Sequence, residues 1–294
     1  MTVNHGILLA AGSGSRLWPL TSYINKHLCV VYDKPLIYYP LTNLILSGCN
    51  TISIVVNQSD FENYSRLLDY LRLLNIDVDL VIQPRTSKGI PSAISCGLTD
   101  SDVDNYLVVL GDNLLISRGF ISQSLHPAIA SEKMKIFTHP VSNPERFGII
   151  ERDDDGGVTN IIEKPSKSFS NEAIVGAYVL PANSLGFIHS LEQSARGETE
   201  VVDVIRCFYS RGKLDIEQLT EGSLWLDAGT TEDLARASSF IAMMQEASGK
   251  LLGSIELAAI KRGLVSPSKV IDYISCMGDS AYKMRLLSAL RSFS

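Results

Sequence analysis

Short apolar runs alternate with segments of helical periodicity through the first half of the chain. Ile7–Ala10, Ile52–Val56, Val78–Gln83 and Tyr106–Leu110 have the length and composition of buried strands. Between them, Pro35–Ser47, Asp60–Leu74 and Ile90–Gly97 repeat their apolar residues at helical spacing. In Asp60–Leu74 these residues are Tyr64, Leu67, Leu68 and Leu71, all on one face. Gly48 then ends the first helix, because a left-handed residue after the last turn is cheapest as glycine. Repeated β-α-β units predict a mostly parallel sheet covered on both faces. Such sheets bind ligands beyond the carboxyl ends of their strands. Arg16, Gln83 and Asp112 all fall just after strand-like runs.

The second half is mixed. Lys135–Pro140, Gly148–Glu151, Val158–Glu163 and Ile174–Leu180 predict strands, and Asn183–Glu192 and Thr199–Tyr209 predict helices. The acidic run Asp153–Gly157 predicts a solvated hairpin tip. From Thr231 the pattern is helical to the end. The expected organisation is an α/β domain over residues 1–230 and a helical appendage over 231–294. Within the first, one part spans about 1–115 and a second about 135–230.

Composition narrows the chemistry. Of 294 residues, 45% are hydrophobic, which is ample for a core, and the formal net charge of −6 argues against a nucleic-acid surface. Any phosphate chemistry must use a local cationic cluster. The five cysteines lack a CxxC pair, so reduced thiols in a cytoplasmic protein are expected. No apolar run reaches the length of a membrane span and no signal peptide is expected.

The first strand runs into Ala11-Gly12-Ser13-Gly14-Ser15, followed by Arg16 and later Lys26. Small residues let backbone N–H groups close around an anion, and nearby cations can neutralise charge during phosphoryl transfer. The pattern is neither the Walker loop nor the six-residue dinucleotide fingerprint. Asp112 and Asp227 each end an apolar run beside a glycine. Taken singly, either could be a cap or turn residue; together they suggest a pair of hard oxygen ligands suited to Mg²⁺.

Leu9–Thr21, Asn25-Lys26-His27-Leu28 and Val31–Pro40 together resemble the sugar-1-phosphate nucleotidylyltransferases, most closely the short-form glucose-1-phosphate thymidylyltransferases. The resemblance implies a Rossmann-like, mostly parallel mixed sheet flanked by helices, of the nucleotide-diphospho-sugar transferase type. It implies Mg²⁺ on Asp112 and Asp227, and catalytic roles for Arg16, Lys26 and Lys164. The nucleotide would meet Leu9, Ala11, Gly12, Ser13, Gly14, Ser15, Arg16, Gln83, Gly89 and Asp112. The sugar phosphate would meet Asn113, Gly148, Glu163, Lys164, Val175, Tyr178 and Arg196. The implied reaction joins dTTP and glucose 1-phosphate, with release of pyrophosphate, in a cytoplasmic homotetramer.

Three departures bear on selectivity. Lys88-Gly89-Ile90-Pro91-Ser92-Ala93 stands where the family usually has Gly-Leu-Ala-Gln-Ala, His27 stands where it has Gln, and Val30 where it often has Pro. Another triphosphate (UTP or CTP), another hexose phosphate, or an inactive nucleotide-sugar-binding subunit therefore stay open. His27 is expected either to titrate near neutral pH or to pack. Leu114–Ser117 replaces the aromatic-Gly segment of the family's second nucleotide site, so allostery is not expected.

Overall fold

The computed structural model describes residues 4–49, 51–86, 88–98, 103–116, 132–194 and 197–293. Strands β1 (Asn4–Leu9), β4 (Thr51–Asn57), β5 (Asp77–Gln83) and β6 (Asn105–Leu110) form the parallel half of a sheet, in the order β6-β1-β4-β5. Helices α1 (Tyr38–Leu46), α2 (Phe61–Leu73) and α3 (Ile90–Gly97) supply the crossovers. The small strands β2 (Val30–Val31) and β3 (Lys34–Pro35) pair with each other ahead of α1. The periodicity that reached back to Pro35 thus overran the helix start. Chain before Tyr38 is committed elsewhere: Lys34 pairs with Val31, and the Ile37 N–H donates to the His27 carbonyl at 2.8 Å.

The second half extends the sheet in mixed sense. Strand β7 (Asn113–Ile116) leaves it and pairs with β13 (Leu224–Asp227). Strand β11 (Glu172–Pro181) runs antiparallel to β6, to β8 (Met134–Pro140) and to β9 (Gly148–Arg152). Strands β9 and β10 (Val158–Glu163) form the hairpin, and β12 (Leu214–Gln218) lies parallel to β8. At the hairpin tip Asp153 Oδ1 accepts from the N–H groups of Asp155 and Gly157 at 3.1 and 2.7 Å, so this acidic run is turn chemistry. Helix α4 (Leu185–His189) is shorter than its predicted span, while α5 (Val201–Tyr209) buries Val201, Val202, Val204, Ile205 and Phe208 against the sheet.

One face of the sheet packs on α1, α2 and the C-terminal helices, the other on α3 and α5; each encloses a cluster of buried aliphatic side chains. Helix α6 (Thr231–Ser248) is followed by α7 (Ile255–Lys261), α8 (Pro267–Ser275) and α9 (Ala281–Leu290). Buried Glu256 of α7 accepts from the Tyr70 and Tyr282 hydroxyls at 2.5 Å each, tying α2, α7 and α9 together. No described helix is long and apolar enough to cross a membrane.

Candidate functional site

Loop 10–16 leaves the carboxyl end of β1 and folds over Lys26. Gly14 has φ +62°, which L side chains rarely adopt, and a Cβ there would stand 2.8 Å from Thr21 Cγ2 and 3.0 Å from Lys26 Cβ. A Cβ on Gly12 would stand 3.1 Å from Lys26 Cε. The glycines therefore let the backbone lie directly on the lysine stem. Gly12, Ser13, Ser15 and Arg16 remain exposed, whereas Leu9 is a core side chain whose main chain alone reaches the site.

Lys26 Nζ ends on Asp112 Oδ2 in a mostly buried ion pair. Asp112 follows the sharp turn at Gly111, where the N–H donates to the Leu9 carbonyl at 2.9 Å and a Cβ would meet that oxygen at 2.7 Å. The next residue orients it: Asn113 Nδ2 donates to Asp112 Oδ1 at 2.9 Å, while Asn113 Oδ1 accepts from Trp225 Nε1 at 2.6 Å and from the Gly176 N–H at 3.1 Å. With two donors on its oxygen and an acceptor on its nitrogen, the Asn113 amide has one orientation.

The β7–β13 ladder brings Asp227 opposite Asn113, and the Ala228 N–H donates to the Asp112 carbonyl at 2.9 Å. The two aspartates thus meet although 115 residues separate them in sequence (227 − 112). Burial, then repulsion from Asp112, lifts the Asp227 pKa to about 6 against the pull of Lys26, Arg146 and Arg16. Burial also pushes Asp112 upward, but Lys26 and the hydrogen bonds from Lys26 and Asn113 outweigh it and hold that carboxyl below its usual range. Two desolvated carboxylates that repel each other, with an ammonium drawn onto one, form a donor set that a divalent cation would relieve. Among the described residues no third His, Cys, Asp or Glu joins them, which leaves coordination positions for water and phosphate oxygens, as Mg²⁺ prefers.

His27 packs; it does not titrate near neutrality. It is 2% exposed, its Nδ1 lies 2.7 Å from Asn25 Oδ1, and burial followed by Lys26 pushes its pKa down to about 3. A Cβ on Gly111 would sit 2.7 Å from its Cδ2, so the neutral ring supports the aspartate turn from below.

Glu163 ends β10 opposite Gly148. A Cβ on Gly148 would lie 2.9 Å from Val202 Cγ2 and 3.4 Å from Glu163 Oε2, so only glycine keeps this floor open. Lys164 adopts φ +44°, a conformation that costs about 1–2 kcal/mol for an L-residue. Its N–H donates to the Phe147 carbonyl at 2.9 Å and its Nζ lies 3.1 Å from Glu163 Oε1. Val175 and Tyr178 are buried on β11; Val175 can offer only main chain, and Tyr178 lies within the field of Glu163 and Asp112. Gln83 ends β5, and Gly89 precedes α3. Ser117 and Arg196 lie outside the described residues. Leu114 and Leu115 of the same tetrapeptide are core side chains of β7.

Sequence reasoning missed Arg146 and Trp225. Arg146 Nη2 reaches Asp227 Oδ2 at 3.3 Å and Asp233 Oδ2 at 2.6 Å, and Asp233 is itself fixed by Thr230 at the start of α6. Trp225 packs on Phe147 with ring centroids 4.9 Å apart and donates to Asn113. The signal for Arg146 was weak: an arginine before an aromatic, with no aspartate near it in sequence.

Small-residue loop, lysine and paired carboxylates converge at the carboxyl ends of β1 and β6. A glucose-1-phosphate thymidylyltransferase of Neisseria meningitidis is 34% identical over 286 residues, covering 97% of this chain and 99% of the relative. One from Xanthomonas campestris pv. campestris is 35% identical over 271 residues, covering 92% and 91%. A Bacillus anthracis structure assigned as a glucose-1-phosphate thymidylyltransferase, in complex with a sucrose, superposes with a TM-score of 0.72 at 29% identity, over 81% of this chain and 95% of that one. A UDP-glucose pyrophosphorylase complexed with UDP-glucose shares the fold, with a TM-score of 0.71 at 22% identity over 83% and 100%. The nucleotidyl transferase family profile matches residues 5–243, and the chain belongs to that family.

Proposed function

We propose that the chain transfers a thymidylyl group from dTTP to glucose 1-phosphate, giving dTDP-glucose and pyrophosphate. The observation that carries this reading is Lys26: it runs beneath Gly12 and Gly14 and ends on Asp112, whose neighbour Asn113 faces Asp227 across the β7–β13 ladder. Asp112 and Asp227 would hold Mg²⁺, which when bound neutralises triphosphate charge and polarises its oxygens.

The residues do the rest. A phosphate oxygen of the sugar phosphate attacks the α-phosphorus in line. One P–O bond forms, the α–β bridging bond breaks, and its electron pair leaves with pyrophosphate. The nucleophile is already anionic, so no general base is required and positioning with charge stabilisation suffices. Arg16 and Lys26 offset charge growing on pyrophosphate. Lys164 and Arg196 hold the sugar phosphate, and Glu163 accepts from sugar hydroxyls. The Gly148 floor and Asn113 complete the pocket with Val175 and Tyr178. Gln83 pairs with the pyrimidine edge, since an amide donates and accepts at once, while Leu9, Ala11, Gly12, Ser13, Gly14, Ser15 and Gly89 line the nucleotide.

We further assign the nucleotide part to residues 1–115, the sugar part to 135–230 and a helical appendage to 231–294, in a cytoplasmic homo-oligomer, a tetramer. Exposed Met243, Ile271 and Met284 on the C-terminal helices supply apolar surface for assembly. A second reading, the same reaction with UTP or CTP, draws on Pro91 and Ser92 in the first turn of α3, where Pro91 removes a backbone donor. An inactive binding subunit is disfavoured by the retention of Arg16, Lys26, Asp112, Glu163, Lys164, Arg196 and Asp227. Pyrophosphate release is measured with glucose 1-phosphate, Mg²⁺ and each common triphosphate in turn. Fastest release with dTTP supports the assignment; faster release with UTP or CTP moves it to the second reading; tight dTDP-glucose binding without release supports the subunit.

A further inference from the structure

The base side and the sugar-phosphate side of the cleft are joined by a contact that the reaction scheme does not use. Thr199 donates twice to one acceptor. Its main-chain N–H reaches the Lys88 carbonyl at 3.3 Å and its hydroxyl reaches the same oxygen at 3.1 Å. Gly89 and Thr199 form an isolated parallel bridge. Gly89 has φ +98°, and a Cβ there would fall 2.1 Å from the Thr199 carbonyl oxygen and 2.8 Å from its nitrogen. No side chain fits between the two segments, so this glycine serves the close approach.

Each partner is rooted in one half of the site. Gly89 caps α3: its carbonyl accepts from the Ala93 N–H at 3.2 Å, and the chain reaches it from β5, which ends at Gln83. Thr199 precedes α5, whose Val202 supports the Gly148–Glu163 floor. Ser194 N–H donates to the Glu198 carbonyl at 2.8 Å, and Ser194 Oγ to Glu200 Oε1 at 2.7 Å. The clip therefore links the segments that lead into α3 and α5.

We propose that Thr199 is a positioning residue that couples the two substrates, an inference that rests on the nucleotidyl-transfer reading above. Two segments tied by one carbonyl share their ordering cost: a ligand that fixes either one leaves less to be ordered by the other. Binding of triphosphate then strengthens binding of sugar phosphate, and linkage makes the effect reciprocal. Loss of one hydrogen bond should weaken the coupling by about three- to tenfold, the equilibrium factor of one net hydrogen bond.

The test uses the full-length protein with Mg²⁺ and α,β-methylene-dTTP, which cannot release pyrophosphate. Its dissociation constant is measured by calorimetry with and without glucose 1-phosphate, in wild type, Thr199→Val and Thr199→Ser. The ratio of the two constants should fall in Thr199→Val and return in Thr199→Ser, while the analogue alone binds no more tightly to Thr199→Val than to wild type, because the loosened 88–93 segment has more to order. A clip that only stabilises the fold would lower the melting temperature and leave the ratio unchanged. Equal ratios in wild type and Thr199→Val, including no coupling in either, overturn the proposal.

Hydrogen exchange on the ligand-free proteins separates this result from failure of the substrate reading. In Thr199→Val, peptides covering 88–93 and 197–203 should both lose protection; protection kept in both overturns the proposal whichever substrates bind. Wild type that binds neither probe, but in which Thr199→Val unprotects both segments, refutes the substrate assignment and leaves the clip standing.

Discussion

Mild acid should destabilise this protein through one buried imidazole. His27 is enclosed by Asn25, Gly12 and the Gly111 turn, and its pKa is pushed down to about 3. In the unfolded chain a histidine titrates near 6.5, so between these values the unfolded state binds the extra proton. Stability from this residue is therefore full above about pH 6.5 and is lost as pH falls toward 3. Relative to about pH 8, the loss is about 2 kcal/mol at pH 5 and about 3 kcal/mol at pH 4. The variant His27→Gln removes the titration and keeps an amide that can face Asn25. Urea unfolding of both proteins at the two ends of this range isolates the effect, because carboxylate contributions are common to both and cancel in the difference. Wild type should lose about 2 kcal/mol more than the variant between pH 8 and 5. Parallel pH dependences, or an NMR titration of His27 near its unfolded value in the native state, would refute the reasoning.

Three further outcomes follow from the same geometry. Asp112→Asn and Asp227→Asn should each lower turnover by more than about 100-fold, the upper range for loss of a mere supporting partner, and should abolish the rise in melting temperature on adding Mg²⁺; an unchanged Mg²⁺ shift would remove that carboxylate from the metal set. Gly176→Ala drives a Cβ to 2.5 Å from Asn113 Oδ1 and 2.6 Å from Leu110 Cδ1; denaturant unfolding should show a loss of about 1–3 kcal/mol, with kcat falling because Asn113 orients Asp112. Arg146→Leu leaves Asp227 and Asp233 without their shared cation and should cost about 1–3 kcal/mol, below the range for a fully buried pair because the guanidinium is 28% exposed; no loss by urea unfolding would show that Arg146 is a surface charge.

Local signals carried much of the fold. The apolar runs that became β1, β4 and β6 were legible because a strand buried on both faces must be apolar throughout, while the run that became β5 lies at the sheet edge and begins with exposed Asp77 and Asp79. Amphipathic Asp60–Leu74 matched Phe61–Leu73 because one face meets the core. Long-range pairing was harder to see. Leu214 and Ile216 alternate with Asp215 and Glu217, a strand signal too short to separate from loop without knowing that Met134–Pro140 lies alongside. Asp227 was found as a residue, but its neighbour Asn113 is reached only through the β7–β13 ladder. Arg146 and Trp225 act on Asp227 and Asn113 from distant elements, and nothing local distinguishes them. For His27, packing rather than titration was decided by burial, which a sequence pattern does not report.

The most direct test of the central claim follows the two ends of the triphosphate. The protein is incubated with glucose 1-phosphate, Mg²⁺ and dTTP labelled with ³²P at either the α or the γ position. Attack at the α-phosphorus predicts that α-label enters the nucleotide sugar and γ-label appears in pyrophosphate, with both transfers lost in Asp112→Asn. Recovery of γ-label in the sugar product, or transfer that survives Asp112→Asn undiminished, would contradict the account.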